Sequence, residues 1–189
     1  MIWSKTKQQL ESFLSPALAG RVEYRATGYR YKADKKGQCY LMADKKEVFN
    51  MSDATTGIKW YQTEQEIKSD PDISIPVSGE DIETVRKAMN GNVPEERLAV
   101  IARSRKIADY AKEMIEAQAA LSKSDFNSAA NSFLSLPIEE CLDSRDILLN
   151  VFALVDRRIG KKRILAMENK IKLKHPIVQY FYELRRSTL

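Results

Sequence analysis

Apolar positions recur along this chain with two periods, and each change of period marks an element. In "MIWSKTKQQLESFL", Ile2, Trp3, Leu10, Phe13 and Leu14 return at helical intervals, which predicts an amphipathic first helix. Pro16 and Gly20 break that pattern. "RVEYRATGYRYK" then alternates, with Val22, Tyr24 and Ala26 on one side and Arg21, Glu23, Arg25 and Thr27 on the other, as in a half-buried strand. The parity slips at Gly28, because Tyr29 and Tyr31 occupy odd positions, and a bulge at the glycine is the expected cause. "DKKG" at residues 34–37 reads as a hairpin turn, "QCYLMA" as a second strand and, past Asp44, Lys45 and Lys46, "EVFNM" as a third. The expected result is a small antiparallel meander with the first helix laid over one face.

Farther on, "IKWYQTEQEIKSD" reads as a short helix, and "PDISIPVSG", with its prolines and glycine, as a connecting loop. Helical signals then take over. Ser78 or Gly79 caps "EDIETVRKAM", and Asn90-Gly91-Asn92 ends it. Pro94, followed by Glu95 and Glu96, opens the longest helix, expected to run to about Leu121. Its apolar stripes (Leu98, Ile101, Ala108 and Ile115; then Ile107, Ala111, Met114 and Leu121) are wide enough to meet more than one neighbour. "SDFNSAANSFLSLP" is a shorter helix stopped at Pro137, and "SRDILLNVFALVD" is apolar almost all round and therefore central. Gly160 interrupts before "KKRILAMENKIKL", and Pro176 opens "PIVQYFYELRR", where Ile177, Phe181 and Leu184 share a face and Arg185 and Arg186 suit the negative helix end. Phe126, Ala129, Phe133 and Leu136 have the spacing of one helix of a tetratricopeptide repeat. One such unit cannot bury a continuous core, so a generic helical hairpin is the better reading. The expected fold class is α+β, with a helix and antiparallel β-meander subdomain over residues 1–70, a connecting loop over 71–78, and a helical bundle over 79–189, all in one compact unit.

Composition narrows the class. A chain of 189 residues with 43% apolar and 30% charged side chains belongs to the globular, water-soluble group. At that length folding buries roughly 70% of the surface of the open chain, enough for a core without staples. The longest uncharged apolar run, "ILLNVFALV", is half of what a membrane span needs, and the amphipathic opening lacks the pattern of a secretory signal. Cys39 and Cys141 stand far apart with no C-x-x-C, which suits a reducing cytoplasm. Charge is unevenly spread. Residues 1–70 hold 12 basic against 9 acidic side chains, residues 71–143 hold 8 against 13, and residues 144–189 hold 11 against 4. An acidic middle and a basic end bear on partners rather than on fold.

Candidate chemistry is sparse. The phosphate-binding loop, the dinucleotide fingerprint, the nucleophile elbow and the paired-histidine zinc motif are all absent. His175, the single histidine, precedes Pro176 at a helix start, where a surface or capping role is expected. Cys39 and Cys141 have no neighbour that would activate a thiol, so both are expected to serve in packing. The best acid–base or metal candidates are Glu23, Asp44 and Glu47 on the meander, set against the plainer reading of a solvated turn. A nuclease element fails on order, because Glu66-Ile67-Lys68 comes before Pro71-Asp72. The candidate anion-binding stretch is "DRRIGKKRIL", with Arg157, Arg158, Lys161, Lys162 and Arg163, extended by Lys170, Lys172 and Lys174. If it is helical, Arg157 and Lys161 share a face, as do Arg158 and Lys162, while Ile159 and Ile164 turn inward. Tyr180, Phe181 and Tyr182 are needed by their own helix, so base readout is missing and a solvated helical face is the favoured reading, with Asp156 available to make part of the cluster structural.

Several stretches, namely "MIWSKTKQQLESFL", "GRVEYRATGYR" with "DKKEVFNM" downstream, "LVDRRIGKKRIL" and "HPIVQYFYELRR", resemble a bacterial family of conserved hypothetical proteins with no assigned activity. The resemblance implies a cytosolic bacterial protein and transfers no site residues. The expected function is a non-enzymatic cytoplasmic binding or adaptor protein with no cofactor and no membrane association. Its partner would be another protein, a second copy, or a nucleic acid met by the basic C-terminal patch. The alternative is a metal-dependent hydrolase built on the meander carboxylates. Charge reversal of Arg158, Lys161 and Lys162 together is expected to leave the fold intact.

Overall fold

The computed structural model describes residues 2–30 and 36–189. A helix α1 (Trp3–Ser12) and a short 3-10 turn (Pro16–Leu18) lead into strands β1 (Val22–Gly28), β2 (Gly37–Ala43) and β3 (Lys46–Ser52). Then come α2 (Asp53–Ser69), α3 (Gly79–Ala88), α4 (Glu95–Ala117), α5 (Lys123–Ser135), α6 (Ile138–Asp143), α7 (Ile147–Val155), α8 (Lys161–Ala166), α9 (Glu168–Ile171) and α10 (Pro176–Arg186). The fold class is α+β. The three strands form one antiparallel sheet in the order β1-β2-β3.

The meander differs from its sequence pattern in one respect. Pairing between β1 and β2 is unbroken from Val22 opposite Ala43 to Gly28 opposite Gly37, so Gly28 carries no bulge. The irregularity lies at Leu41/Met42, facing β3. Gly28 ends the strand, which is why the alternation stops there. Its partner Gly37 must lack a side chain, because a Cβ at that position would lie 2.0 Å from the Thr27 carbonyl oxygen. Tyr31 and the expected turn, as far as Lys35, lie outside the described residues. Between β2 and β3 the turn is tight, with Asp44 and Lys45 both at positive φ (48° and 66°), the twist that suits a two-residue hairpin.

Contacts divide the chain into two compact units, residues 1–54 with 121–189 and residues 55–120. That grouping differs from the expected segments 1–70 and 79–189, and the junction explains why. Ser52 donates its N–H to the Leu121 carbonyl (3.1 Å), and the Asp53 carboxylate accepts from the N–H groups of Gly37 (2.7 Å) and Lys123 (3.0 Å). The chain thus leaves the first unit and re-enters it at neighbouring points, and residues 55–120 form an insertion.

In the first unit α1 and α5 cover the apolar face of the sheet, where Val22, Tyr24, Cys39, Leu41, Ala43 and Met51 are buried. α7 runs through the centre with every residue from Leu148 to Val155 buried. Its one polar member, Asn150, donates to the carbonyls of Cys141 (2.9 Å) and Ser144 (3.0 Å), satisfying the end of α6. Phe152 stands at the hub of an aromatic cluster, 5.7 Å from Tyr24, 5.6 Å from Phe126 and 5.5 Å from Phe133 between ring centres. His175 caps α10 by accepting the Ile177 N–H at its Nδ1 (3.2 Å). Both cysteines are buried, and burial pushes the Cys39 thiol up to about 12. That is the state of a packing residue and not of a nucleophile.

The second unit has a thin core. Ile67, Ile107 and Ala111 form one buried cluster and Val85, Leu98 and Ala102 another. α2 is longer than "IKWYQTEQEIKSD" suggested because it starts straight from the end of β3, and α4 stops at Ala117, short of Leu121. α3 opens with a capping box in which Ser78 and Asp81 each satisfy the other's backbone N–H.

Candidate functional site

The basic stretch is not a helical face. α7 ends at Val155 and α8 begins at Lys161, so Arg157, Arg158 and Ile159 lie in a turn, and the expected pairings along one helix do not form. The turn is held from inside. Asp156 is fully buried, and its carboxylate accepts from the Arg158 backbone N–H (2.7 Å), Nε (2.9 Å) and Nη2 (2.7 Å). The Arg158 guanidinium lies over the Phe13 ring, 4.4 Å from its centre, and 5.6 Å from that of Phe133. Around it, residues 13–15 and 155–157 pair as a short antiparallel bridge, Ser15 N–H to the Val155 carbonyl and Arg157 N–H to the Phe13 carbonyl, each 2.8 Å. Arg158 is therefore a clamp between the end of α1 and the end of α7, and reversing its charge would set a second carboxylate beside buried Asp156. Reversal at Arg158 is thus expected to weaken the fold, against the expectation from sequence.

The other cations are largely engaged. Arg163 pairs with Glu139 (2.6 Å), Lys170 with Asp143, and Lys172 with Glu168 (3.9 Å). Lys161 donates to the Leu189 carbonyl (3.0 Å) and Lys174 to that of Ser144 (2.8 Å). Burial lowers Lys174 from its usual value. Of the five residues singled out, Arg157 and Lys162 are the ones whose side chains have no partner among the described residues. Arg185, expected to suit the negative end of α10, is in addition buried. It donates to the Ser15 hydroxyl and the Ile159 carbonyl, and desolvation lowers its pKa against the pull of Asp156.

The meander carboxylates do not converge. Asp44 is gripped by Arg21 at 2.7 and 2.9 Å, Glu23 by Arg25 at 2.9 Å, and Glu47 accepts from Asn50 at 3.0 Å. Glu23 and Glu47 both pair with Met42 from opposite sides, which separates them by two strand spacings, about 10 Å. Among the described residues no group of three histidine, cysteine or acidic side chains is arranged to hold a metal ion.

Two features of the second unit stand out instead. The first is the outer face of α2. Between Ala54 and Gln65 none of its exposed residues is charged, and Ile58 and Tyr61, one turn apart, are 62% and 64% exposed. The second is a cleft of about 520 Å³ bounded by residues 73–76 and by Asp81, Lys106, Asp109, Tyr110 and Glu113. Asp81 and Lys106 are committed to one another (2.9 Å), whereas Asp109 and Glu113 have no ionic partner among the described residues. The Ser78 backbone N–H, the Lys106 ammonium and the Ser78 hydroxyl hold the Asp81 carboxyl down at about 2, against an ordinary 3.8. A folded value below the unfolded one means stabilisation that is complete above the unfolded value and lost as pH falls through the folded one. Urea unfolding of a Trp3→Phe variant, followed by Trp60 in the second unit, should therefore weaken from pH 3.8 down to about 2. Adding Asp81→Asn should flatten that dependence.

Neither feature was read from sequence, yet the cleft left two signals. Asp109 and Glu113 are like charges four apart on a helix, an arrangement that mildly destabilises it without a counter-charge. "ISIPV", taken as loop, alternates in the manner of a strand.

A sequence profile of the SF0329 protein family matches residues 2–186. The chain belongs to that family. No curated protein and no solved structure matches it. The SF0329 match spans both units and the junction between them, so the insertion of residues 55–120 lies inside the matched region. Among its described residues no helix is long and apolar enough to cross a membrane.

Proposed function

We propose that this SF0329-family chain is a non-enzymatic cytoplasmic binding protein that docks a protein partner on the outer face of α2. The observation that carries the reading is that none of the exposed residues of α2 between Ala54 and Gln65 is charged, in a chain whose residues are 30% charged. Interface centres are depleted of charge and enriched in tyrosine, and Ile58 with Tyr61 supplies an apolar and aromatic anchor of that kind. The thin core of the second unit agrees, since a small unit that buries few side chains gains most from a covering partner. An anionic polymer is the weaker choice of partner, because most of the basic stretch is tied into ion pairs and carbonyl contacts.

Affinity capture from extract, compared by quantitative mass spectrometry, tests the reading with three baits: the unaltered chain, Ile58→Lys with Tyr61→Lys, and Arg157→Glu with Lys162→Glu. A protein partner should be depleted at least about tenfold from the first variant and retained by the second. Equal recovery on the unaltered chain and the α2 variant would remove the proposed face. Loss only on the Arg157/Lys162 variant would return the function to the basic turn.

A further inference from the structure

Residues 73–77 belong to no helix and no strand of the sheet. Their exposure alternates: Ile73, Ile75 and Val77 are half-buried, while Ser74 and Pro76 are exposed. The inward side chains join two different clusters, Ile73 and Ile75 against Ile67, Ile107 and Ala111, and Val77 against Val85, Leu98 and Ala102. Apolar packing thus anchors the segment at every second residue, the spacing of an extended chain. Its backbone is unused. The Ile73 N–H goes to the Asp70 carbonyl (3.4 Å) and the Ser78 N–H to the Asp81 carboxylate (2.7 Å). Between them, the N–H groups of Ser74, Ile75 and Val77 and the carbonyls of residues 73–77 make no hydrogen bond among the described residues. An extended segment with free ladder groups is a template for another strand.

The cleft beside it defines the occupant. One wall is this segment, and the other carries Asp109, Tyr110 and Glu113 from α4. With Asp81 and Lys106 neutralising each other, the two remaining carboxylates leave the cleft acidic, and Tyr110 is 42% exposed beside them. Paired carboxylates next to an aromatic ring complement a lysine or arginine side chain. A small amine would satisfy the carboxylates but would leave the backbone edge unused, whereas a peptide uses both.

We propose that residues 73–77, with Asp109, Glu113 and Tyr110, form a docking groove for an extended peptide segment of a partner protein that carries a lysine or arginine. It rests on the reading of the chain as a binding protein but not on the α2 face. The peptide adds as a strand along residues 74–77 through main-chain hydrogen bonds, and its cationic side chain reaches the Asp109/Glu113 wall.

The test uses the full chain and a displayed library of random octapeptides, with the enriched sequence then synthesised. Enriched peptides should carry lysine or arginine. Their affinity should fall about fivefold on the Asp109→Asn, Glu113→Gln double variant, both sites being exposed and the changes isosteric. It should fall similarly when alternate peptide amides are N-methylated, and it should be unchanged by Tyr61→Lys. No enrichment, enrichment without a cation, or affinity indifferent to both the double variant and N-methylation would each overturn the groove. A mass above 21.6 kDa by light scattering that the double variant abolishes would overturn it too, since the occupant would then be a second copy. If the library selects nothing while partner capture still depends on Tyr61, the groove falls and the binding reading stands.

Discussion

Asp156→Ala should destabilise the first unit by about 3 kcal/mol, the lower end of what breaking a buried ion pair costs. The carboxylate is wholly buried and accepts three hydrogen bonds from Arg158. Its loss strands a guanidinium between Phe13 and Phe133 and unties the turn that joins α7 to α8. The figure lies at the lower end because the Arg158 side chain is 38% exposed and regains water when released. Arg158→Glu should cost more, because the carboxylate it would strand cannot reach solvent and would face another of its own sign. Urea unfolding in a Trp60→Phe background, followed through Trp3 in the first unit, measures both. Lys162→Glu, at an exposed position with no partner among the described residues, should leave the midpoint within about 0.5 kcal/mol of the parent. Equal midpoints for Asp156→Ala and Lys162→Glu would show that the turn is not held from inside.

Phe152→Ala should cost about 3–5 kcal/mol, as large-to-small changes do at sites that cannot collapse. Phe152 is 1% exposed and meets Tyr24, Phe126 and Phe133, rings supplied by β1 and α5. Because sheet and bundle both lean on it, neither can move in alone to fill the void. Phe152→Leu keeps most of the volume and should recover more than half of the loss. The same Trp3 signal reads the outcome, since Trp3 packs on Phe126 with 5.7 Å between ring centres. A loss below about 1 kcal/mol for the alanine variant would mean that α7 is not the central support.

Both predictions come from elements whose sequence signals differ in strength. α7 was legible as a central helix because nine consecutive uncharged residues leave it no solvent face. The meander was legible because Val22 and Tyr24 alternate with charged neighbours, and a strand has only two faces. The supposed bulge at Gly28 was misread because the end of a strand and a bulge both break parity, and only the pairing with Gly37 distinguishes them. The basic stretch was only partly legible, for a different reason. Charge counts reveal how many cations a segment carries but not which are already spent, and Arg163, Lys170 and Lys161 are bound to Glu139, Asp143 and Leu189, 24 or more residues away in sequence. "PDISIPVSG" was legible as a connection because its prolines and glycine dominate its composition, and the alternating burial of its apolar residues shows only once they are packed.

Periodicity was enough to establish the α+β class, the three-stranded meander and the succession of helices, because those depend on neighbours within a turn or a strand. The caps at Ser78, Asp146 and His175 are likewise local, each side chain reaching a backbone group two or three residues away. What folding alone could settle is the long-range accounting. It brings Asp156 and Arg158 against Phe13, makes residues 55–120 an insertion, and sets the connecting segment 73–77 beside Asp109 and Glu113. Such pairings depend on desolvation and distance between residues remote in sequence, and no local pattern encodes either quantity.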